Sequence, residues 1–402
     1  MFPTGRIEDR HAIAELKTPD GVFLIQERRA VRREDAKPKA LPARGHSASP
    51  AMVALGGLII LGVLIGSYTT KYDLAVGHAN GPMPVPAVGF LALQLFLARA
   101  AYRLFHDIRH VESLGAYVQQ RLLRYLPAVV PAVILGFVLL QSGDIPNVKA
   151  TIEALPANLL MVADMLGVDE VDSAHWRLKI EIFLCLLVGA TWFGPLRRHL
   201  VAILIIGLSV SAICIDGEPT RQHSLSIRGI VTADGYLPLF AFGIALFQLA
   251  EDRTQRVWWG LAAASLVLVF FSNTPCHGAA VVAALATLAA IVAGRLEWLG
   301  RARILVVLGE LAFPIYVVHF VVGFVLMHRL EVVGIPPVVA LAAASAAAIG
   351  LGKLFNIAFE KPAEAHLPAL LVIARRSLDL SNMLDFLTIA DADNTSRAEV
   401  PF

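Results

Sequence analysis

His319 is the residue whose type and setting most clearly suggest chemistry, because it interrupts an apolar run from Ile304 to Met327. About 20 apolar residues span a bilayer as a helix, so this run is long enough to cross one. An ionisable side chain inside a membrane is costly and generally functional, although it can also be a structural residue bonded to a neighbouring helix. Tyr316, His319 and Gly323 would share one helix face, and such a small and polar stripe indicates packing inside a bundle. His319 is therefore predicted to lie inside a membrane protein.

A second intramembrane polar group is predicted at Glu181, which opens another apolar segment together with Trp176. Under the topology described below, Glu181 and His319 both lie in the outer half of the membrane, where they could face each other. A carboxylate that orients or protonates an imidazole is a common arrangement for a base. We predict that His319 and Glu181 form a catalytic pair. Trp176 could alternatively be an aromatic anchor at the membrane interface.

Two arginines three positions apart, Arg121 and Arg124, precede a further apolar run and would share one helix face. Guanidinium groups spaced in this way bind phosphate or pyrophosphate well. We predict that they bind a phosphate-containing donor at the cytoplasmic side. The alternative is a positively charged anchor at the membrane boundary.

Two long connections, residues 142–177 and 216–235, are predicted on the outer side, where long loops often cover a site. Plain solvated connectors are the alternative interpretation. We predict substrate contacts for four residues: Trp176, Tyr316, Arg221 and His223.

The composition also indicates a membrane protein. Apolar residues make up 57% of the chain and charged residues 16%, against about 25% charged residues in an average soluble domain. The net charge of +2 gives no indication of nucleic-acid binding. The three cysteines have neither metal-ligand spacing nor a disulfide framework, and no metal site is predicted.

Apolar runs separated by connectors with glycine, proline or charge predict an all-α, polytopic membrane bundle of about ten transmembrane helices. The runs are 51–68, 85–104, 125–141, 178–194, 199–215, 236–250, 257–272, 278–294, 304–327 and 335–358.

The distribution of lysine and arginine sets the predicted orientation. If the N-terminus is cytoplasmic, the connectors 105–124, 195–198, 251–256 and 295–303 are cytoplasmic too and are rich in these residues, as the positive-inside rule requires. We therefore predict a multi-pass protein of the inner (plasma) membrane, surrounded by membrane lipids, with both termini in the cytoplasm. Three parts follow: a polar, basic and largely disordered cytoplasmic tail over 1–50, a transmembrane domain over 51–365, and a cytoplasmic C-terminal tail over 366–402.

Four short motifs occur in order along these runs. They are Arg121-Leu-Leu-Arg124-Tyr-Leu-Pro127, Trp176-x-Leu178-x-x-Glu181, Leu308-Gly309 followed by Phe313-Pro-Ile-Tyr316-Val-Val-His319, and Glu360-Lys-Pro362. Together they resemble membrane acyltransferase family 3, the integral membrane enzymes that O-acylate sugars and polysaccharides. The resemblance extends over roughly residues 85–365 and implies a bundle of about ten spans.

The first span departs from this family. The family usually carries an Arg and, after ten further residues, a His that is considered catalytic. In this chain Gly56 and Ser67 occupy those two positions. If the protein is an active enzyme, its base must therefore be another residue, such as His319, His223 or His78.

The resemblance implies transfer of an acyl group, with acetyl the expected one, from cytoplasmic acyl-CoA bound near Arg121 and Arg124. The implied acceptor is a hydroxyl of an envelope or exported polysaccharide or glycolipid, and polysaccharide export machinery is an expected partner. No permanently bound cofactor is implied, since acyl-CoA is a co-substrate. Two alternatives stay open: a catalytically inactive relative that binds a glycan or lipid or helps to export it, and a small-molecule transporter with a polar site at the midplane of the bilayer.

Overall fold

The computed structural model describes residues 15–18, 21–24, 49–79, 81–83, 88–142, 150–163, 166–213 and 236–366. Within these ranges the side chains of residues 15–24, Ser173, Trp176 and Arg177 are left undescribed. Two of the predicted substrate residues, Arg221 and His223, lie outside the described residues, as does the predicted C-terminal tail from residue 367.

The chain divides into two units, and the first, Met1–Leu41, contains a β-hairpin. Strands β1 (Glu15–Thr18) and β2 (Gly21–Leu24) pair antiparallel, with Glu15 opposite Leu24. Part of the tail that was predicted to be largely disordered is therefore a β-hairpin. The other residues of that predicted tail up to 48 lie outside the description.

The described part of the second unit, Pro42–Phe402, is built from helices. They are α1 (Pro50–Gly66), α2 (Tyr72–Ala75), α3 (Val88–Ile108), α4 (Leu114–Leu140), α5 (Leu155–Leu159), α6 (Trp176–Phe193), α7 (Leu200–Ile213), α8 (Tyr236–Glu251), α9 (Arg256–Phe271), α10 (Pro275–Val292), α11 (Arg303–Glu310), α12 (Ala312–Val332) and α13 (Pro337–Phe355). Each predicted apolar run coincides with one of these helices or a pair of them. The all-helical class of the transmembrane domain is confirmed.

Seven helical spans in the described residues are long and apolar enough to cross a membrane. Helices α8 and α9 are apolar but shorter, at 16 residues each. Helix α6 has charged residues in its first turns, including Lys179 and Glu181. The protein is thus a helical, multi-pass membrane protein, while the count of ten spans stays a prediction.

The first span is a composite helix. The Ser49 side chain caps its N-terminus by accepting a hydrogen bond from the Met52 amide at 3.3 Å, which satisfies one of the donors left over at a helix start. Helix α1 then continues through a π-helical turn, Ser67–Lys71, into α2. Turns of the π-helical type are rare in proteins, and those that occur are often located at functional sites.

The first span and α12 form the centre of the bundle. In their most apolar windows 72% and 67% of the residues are buried, against 50% or less in the other five spans. Glycines permit this packing, because Gly309 of α11 lies against the Val53 carbonyl of α1 and Gly323 of α12 lies against the Tyr68 ring. A Cβ atom at either glycine would collide with these neighbours.

The prediction of one continuous span over 304–327 is wrong. The chain breaks at Leu311 between α11 and α12. Pro314 explains the break, since it has no N–H to bond the Glu310 carbonyl four residues earlier. His319 therefore lies eight residues into a 21-residue helix, just before its middle, and not two-thirds of the way along a longer one.

Candidate active site

His319 is fully buried, and both nitrogens of its ring are engaged. Nδ1 lies 2.5 Å from the Tyr316 carbonyl oxygen, and Nε2 lies 3.1 Å from Ser67 Oγ. A carbonyl oxygen can only accept, so Nδ1 carries the proton of the neutral ring. Nε2 is then an acceptor, and the Ser67 hydroxyl donates to it. This pairing joins the first span to α12 at the centre of the bundle.

Two tyrosines fix the helices around this pair. The Tyr68 hydroxyl donates to the His319 carbonyl oxygen at 2.7 Å, and the Tyr316 hydroxyl donates to the Ala174 carbonyl oxygen at 2.6 Å. The Tyr316 ring also stacks on Phe96 of α3, with 5.7 Å between ring centroids. Tyr316 therefore lies at the site, in keeping with its prediction as a substrate residue, although its substrate contact stays a prediction.

A buried polar group precedes α6 close to this site. His175 Nε2 donates to the Val317 carbonyl oxygen at 3.2 Å and lies 3.7 Å from Asp172 Oδ2. Asp172 also accepts a hydrogen bond from the Ala174 amide at 2.7 Å. Burial raises the pKa of the Asp172 carboxyl. The charge of His175 and the hydrogen bond from the Ala174 amide lower that pKa and so offset part of the rise. Lys179 pairs with Glu170 beside this group.

Glu181 has a different partner from the one predicted. Its carboxylate accepts a hydrogen bond from the Tyr125 hydroxyl of α4 at 3.0 Å. The Tyr125 ring in turn lies edge-on to Phe313, with 5.5 Å between centroids. Phe313 precedes His319 by six residues, or roughly 9 Å along the helix.

The structure therefore does not bring His319 and Glu181 together. Within the described part of the chain, no hydrogen bond or ion pair joins them. Glu181 lies at the level of Phe313, nearer the end of the bundle predicted to face the cytoplasm. The predicted depths were derived from span ends. Ala174 and His175, which were expected in an outer loop, contact Tyr316 and Val317 of α12, so α6 begins deeper in the bundle than predicted.

The two predicted donor-binding arginines lie on α4, the helix whose Tyr125 bonds to Glu181 of α6. Arg121 is buried, and its guanidinium lies 5.0 Å from the Tyr117 ring centroid and 3.6 Å from Asp107 Oδ2. Among the described residues, Arg121 Nε and Nη2 and Arg124 Nε have no hydrogen-bond partner. Buried donors are nearly always paired. Arg121 Nη2 is the atom that faces Asp107, so it is the Nε atoms of Arg121 and Arg124 that favour a site for an anion.

Arg99 of α3 adds a third guanidinium, which was not predicted. Its Nε donates to the Met52 carbonyl oxygen at 3.1 Å. Its charge is repelled by Arg103 and Arg124 and attracted by Glu181. The guanidinium lies against Gly56, where an added Cβ would approach Nη2 to 2.9 Å. An arginine and a histidine from other helices thus contact the first span at Gly56 and Ser67, the two positions where the resembled family usually carries those residue types.

His78, one of the alternative bases, has a partner of its own at the predicted outer end of the bundle. Its Nδ1 lies 2.9 Å from Glu331 Oε1, and the Ala79 amide donates to Glu331 Oε2 at 2.9 Å. This contact fastens the segment after α2 to the last turn of α12. Trp176 begins α6, but its side chain lies outside the description, and His223 falls in a segment that the structure does not describe.

Sequence reasoning missed Ser67 and Arg99 as members of the site. Arg99 carried a usable signal, because a charged residue within an otherwise apolar span generally faces the interior of a bundle. Ser67 carried one too, because it occupies the position at which the resembled family usually carries its catalytic His.

A bundle of apolar helices with a buried histidine, a serine and arginines at its centre defines a multi-pass membrane protein with a polar interior. The model of an acyltransferase domain matches residues 51–355. The chain therefore belongs to the family 3 acyltransferases, as the motifs predicted. Neither a curated protein nor a solved structure matches it.

Proposed function

We propose that the protein transfers an acetyl group from cytoplasmic acetyl-CoA to a hydroxyl of an envelope or exported polysaccharide or glycolipid. The observation that carries the proposal is the state of His319, whose Nε2 lone pair faces a hydroxyl in the buried centre of an acyltransferase fold. A neutral imidazole in that state can accept a proton from an attacking hydroxyl. The acyl carbon then passes from a thioester sulfur to an oxygen.

The arginines supply the donor site in this proposal. Arg121, Arg124 and Arg99 lie toward the end of the bundle predicted to be cytoplasmic. Among the described residues, the Nε atoms of Arg121 and Arg124 are buried donors without a hydrogen-bond acceptor, whereas Arg99 Nε donates to the Met52 carbonyl oxygen. The pyrophosphate of a CoA thioester offers the acceptors that such donors need. Glu181 acts as a positioning residue there, because it holds the Tyr125 hydroxyl on the same helix as two of these arginines.

The acceptor approaches from the predicted outer side in this proposal, where Tyr316, Trp176, Arg221 and His223 contact it. The sugar hydroxyl loses its proton to His319 Nε2 as its oxygen attacks the acyl carbonyl. General-base help of this kind contributes about 10²–10⁴-fold to a rate. His319 regains its neutral form when the leaving group takes that proton.

The test compares the O-acetyl content of cell-envelope glycans in a deletion strain complemented with wild-type protein or with His319→Ala. We expect the variant to lose roughly 10²–10⁴-fold in transfer rate. The matched control is His277→Ala, since His277 is exposed at the start of α10 and in the described structure contacts Thr274 by a hydrogen bond and Phe90 by its ring. Full acetylation by membrane-inserted His319→Ala protein would contradict the assignment.

A second candidate function, that of a non-catalytic relative that binds or helps to export a glycan, is favoured by Gly56 and Ser67 in place of the usual Arg and His. The same deletion strain distinguishes the two. Loss of glycan esters at constant glycan amount supports the enzyme, whereas a lower amount of exported glycan with unchanged esters supports the export role or a transporter.

A further inference from the structure

The hydroxyl closest to the candidate base belongs to the protein itself. His319 has one acceptor nitrogen, Nε2, because Nδ1 is committed to the Tyr316 carbonyl. That acceptor is occupied by Ser67 Oγ at 3.1 Å. A hydroxyl bonded to a base, with the base oriented by a third group, is the arrangement found in enzymes with a serine nucleophile.

We propose that Ser67 is a covalent nucleophile, which carries the acyl group as an oxygen ester between donor and acceptor. The inference rests on the acyl transfer proposed above and adds a first half-reaction to it. The acyl group then moves in two steps, from the CoA sulfur to Ser67 Oγ and from Ser67 Oγ to the sugar oxygen.

In the first step Ser67 Oγ attacks the thioester carbonyl while its proton passes to His319 Nε2. The tetrahedral intermediate collapses, the carbon–sulfur bond breaks, and the CoA thiolate leaves with the proton from His319. In the second step the acceptor hydroxyl attacks the Ser67 ester as its own proton passes to Nε2. The carbon–oxygen bond to Ser67 breaks, and Ser67 recovers its proton from His319, so that atoms and charges balance.

The surroundings of Ser67 favour this role over a merely structural contact. Ser211 of α7 and Ser265 of α9 are buried serines whose hydroxyls have no hydrogen-bond partner among the described residues. A buried serine in this bundle therefore does not require an imidazole beside it. Ser67 also begins the π-helical turn of the first span, a distortion that is frequent at functional sites.

The position of Ser67 along its helix fits a shuttle between two sides of the membrane. Gly56, which contacts the Arg99 guanidinium, precedes Ser67 by eleven residues on the same span, or roughly 16 Å. A donor with a long flexible arm between its phosphates and its thioester can reach from the arginines to Ser67. Burial of Ser67 and His319 also keeps water away from an ester at this position.

The experiment incubates purified full-length protein with radiolabelled acetyl-CoA and no acceptor, followed by denaturation and peptide mass spectrometry. We expect label on wild-type protein, with an ester on the peptide that contains Ser67, and no label on Ser67→Ala. Ser265→Ala is the matched control and should label like the wild type. Addition of acceptor glycan should then remove the label from the protein.

A chemical signature separates the nucleophile from a structural serine. Ser67→Cys can accept the acyl group as a thioester, which neutral hydroxylamine cleaves far faster than an oxygen ester. We expect label on Ser67→Cys that neutral hydroxylamine removes, and label on the wild type that resists it. A Ser67 variant that failed to fold would lose the thermal unfolding transition that Ser265→Ala retains.

Failure of this inference differs from failure of the proposed function. Glycan acetylation by wild-type protein without a Ser67 ester, together with full transfer by folded Ser67→Ala, would overturn the inference alone. A Ser67 ester that no glycan discharges would uphold the inference and overturn the proposed acceptor. Wild-type protein that neither labels nor transfers would overturn both.

Discussion

Tyr316 contributes three different groups to the candidate site. Its carbonyl oxygen accepts from His319 Nδ1, its hydroxyl donates to the Ala174 carbonyl, and its ring stacks on Phe96. The first contact sets which nitrogen of His319 is basic, and the other two hold the backbone that provides it. A substitution such as Tyr316→Phe keeps the first contact and the ring but loses the second, so its effect on transfer would be one of position and not of basicity.

At the scale of the residue, Arg124→Ala tests the donor site. A hydrogen bond to a charged group contributes about 1.5–3 kcal/mol, so we expect the KM for acetyl-CoA to rise roughly 10–100-fold. The value of kcat should change little, because Arg124 contacts the binding group and not the reacting carbon. Initial rates over a range of acetyl-CoA concentrations would measure both constants.

The matched control for that measurement is Arg109→Ala. Arg109 lies just after α3, pairs with Glu251 at 2.6 Å and, among the described residues, has no buried donor atom without a partner. Its removal should leave the KM for acetyl-CoA unchanged. An equal KM in Arg124→Ala and wild type would remove the donor role from this arginine.

At the scale of the element, α11 and α12 show how one break in a helix builds a site. Helix α11 packs by Gly309 against the Val53 carbonyl of α1, and α12 packs by Gly323 against Tyr68. The two glycine contacts fix the first span against α11 and α12 at two levels along its axis. Ser67 lies next to Tyr68, so its register with His319 depends on both contacts.

Gly309→Ala tests this register. The new Cβ would collide with the Val53 backbone, which cannot move aside as a flexible side chain can. We expect a loss of about 1–3 kcal/mol in the free energy of unfolding and reduced transfer. Gly350→Ala in α13 is the control, since a Cβ there meets nothing within 4 Å, and it should be neutral or stabilising by about 0.5–1 kcal/mol. Equal thermal unfolding midpoints in detergent for the two variants would refute the packing argument.

The sequence sufficed to predict helices and their approximate ends, because apolar length alone separates a span from a connector. It also predicted that His319 is buried, from its apolar setting. It did not predict that Ser67 contacts His319 or that Arg99 contacts Gly56. These contacts depend on the rotation of each helix about its axis, which the sequence does not reveal. The level of Glu181 was misjudged because the segment just before α6 was expected in an outer loop, whereas it contacts Tyr316 and Val317 of α12.

At the scale of the whole molecule, the proposed reaction requires two opposite faces. The arginines and Glu181 lie toward the start of α12, and the His78–Glu331 pair closes its far end. Ser67 and His319 lie between them. In the predicted orientation, a donor from the cytoplasmic side and an acceptor from the outer side would therefore meet at the centre.

The orientation is testable by cysteine labelling in intact cells. In a variant whose native cysteines are replaced, Val333→Cys should react with a membrane-impermeant maleimide added outside, because Val333 is exposed after α12 at the predicted outer end. Arg253→Cys, in the exposed connector between α8 and α9, should react only after the membrane is permeabilised. The reverse pattern would invert the predicted topology and place the arginines on the outer side.

The central position of the first span has a consequence for biosynthesis. The ribosome makes α1 long before α11 and α12. Its glycine contacts at Gly62 and Gly66 lie with α3, but the contacts of Gly57 with Leu305 and of Gly309 with Val53 need α11. Translation proceeds at roughly 5–20 residues per second. The first span therefore exists for some time before α12 is made, and during that time Ser67 has no His319 beside it. Ser67 and His319 can meet only when more than 300 residues have been synthesised, so a chain terminated before α12 lacks the contact that the proposed chemistry requires.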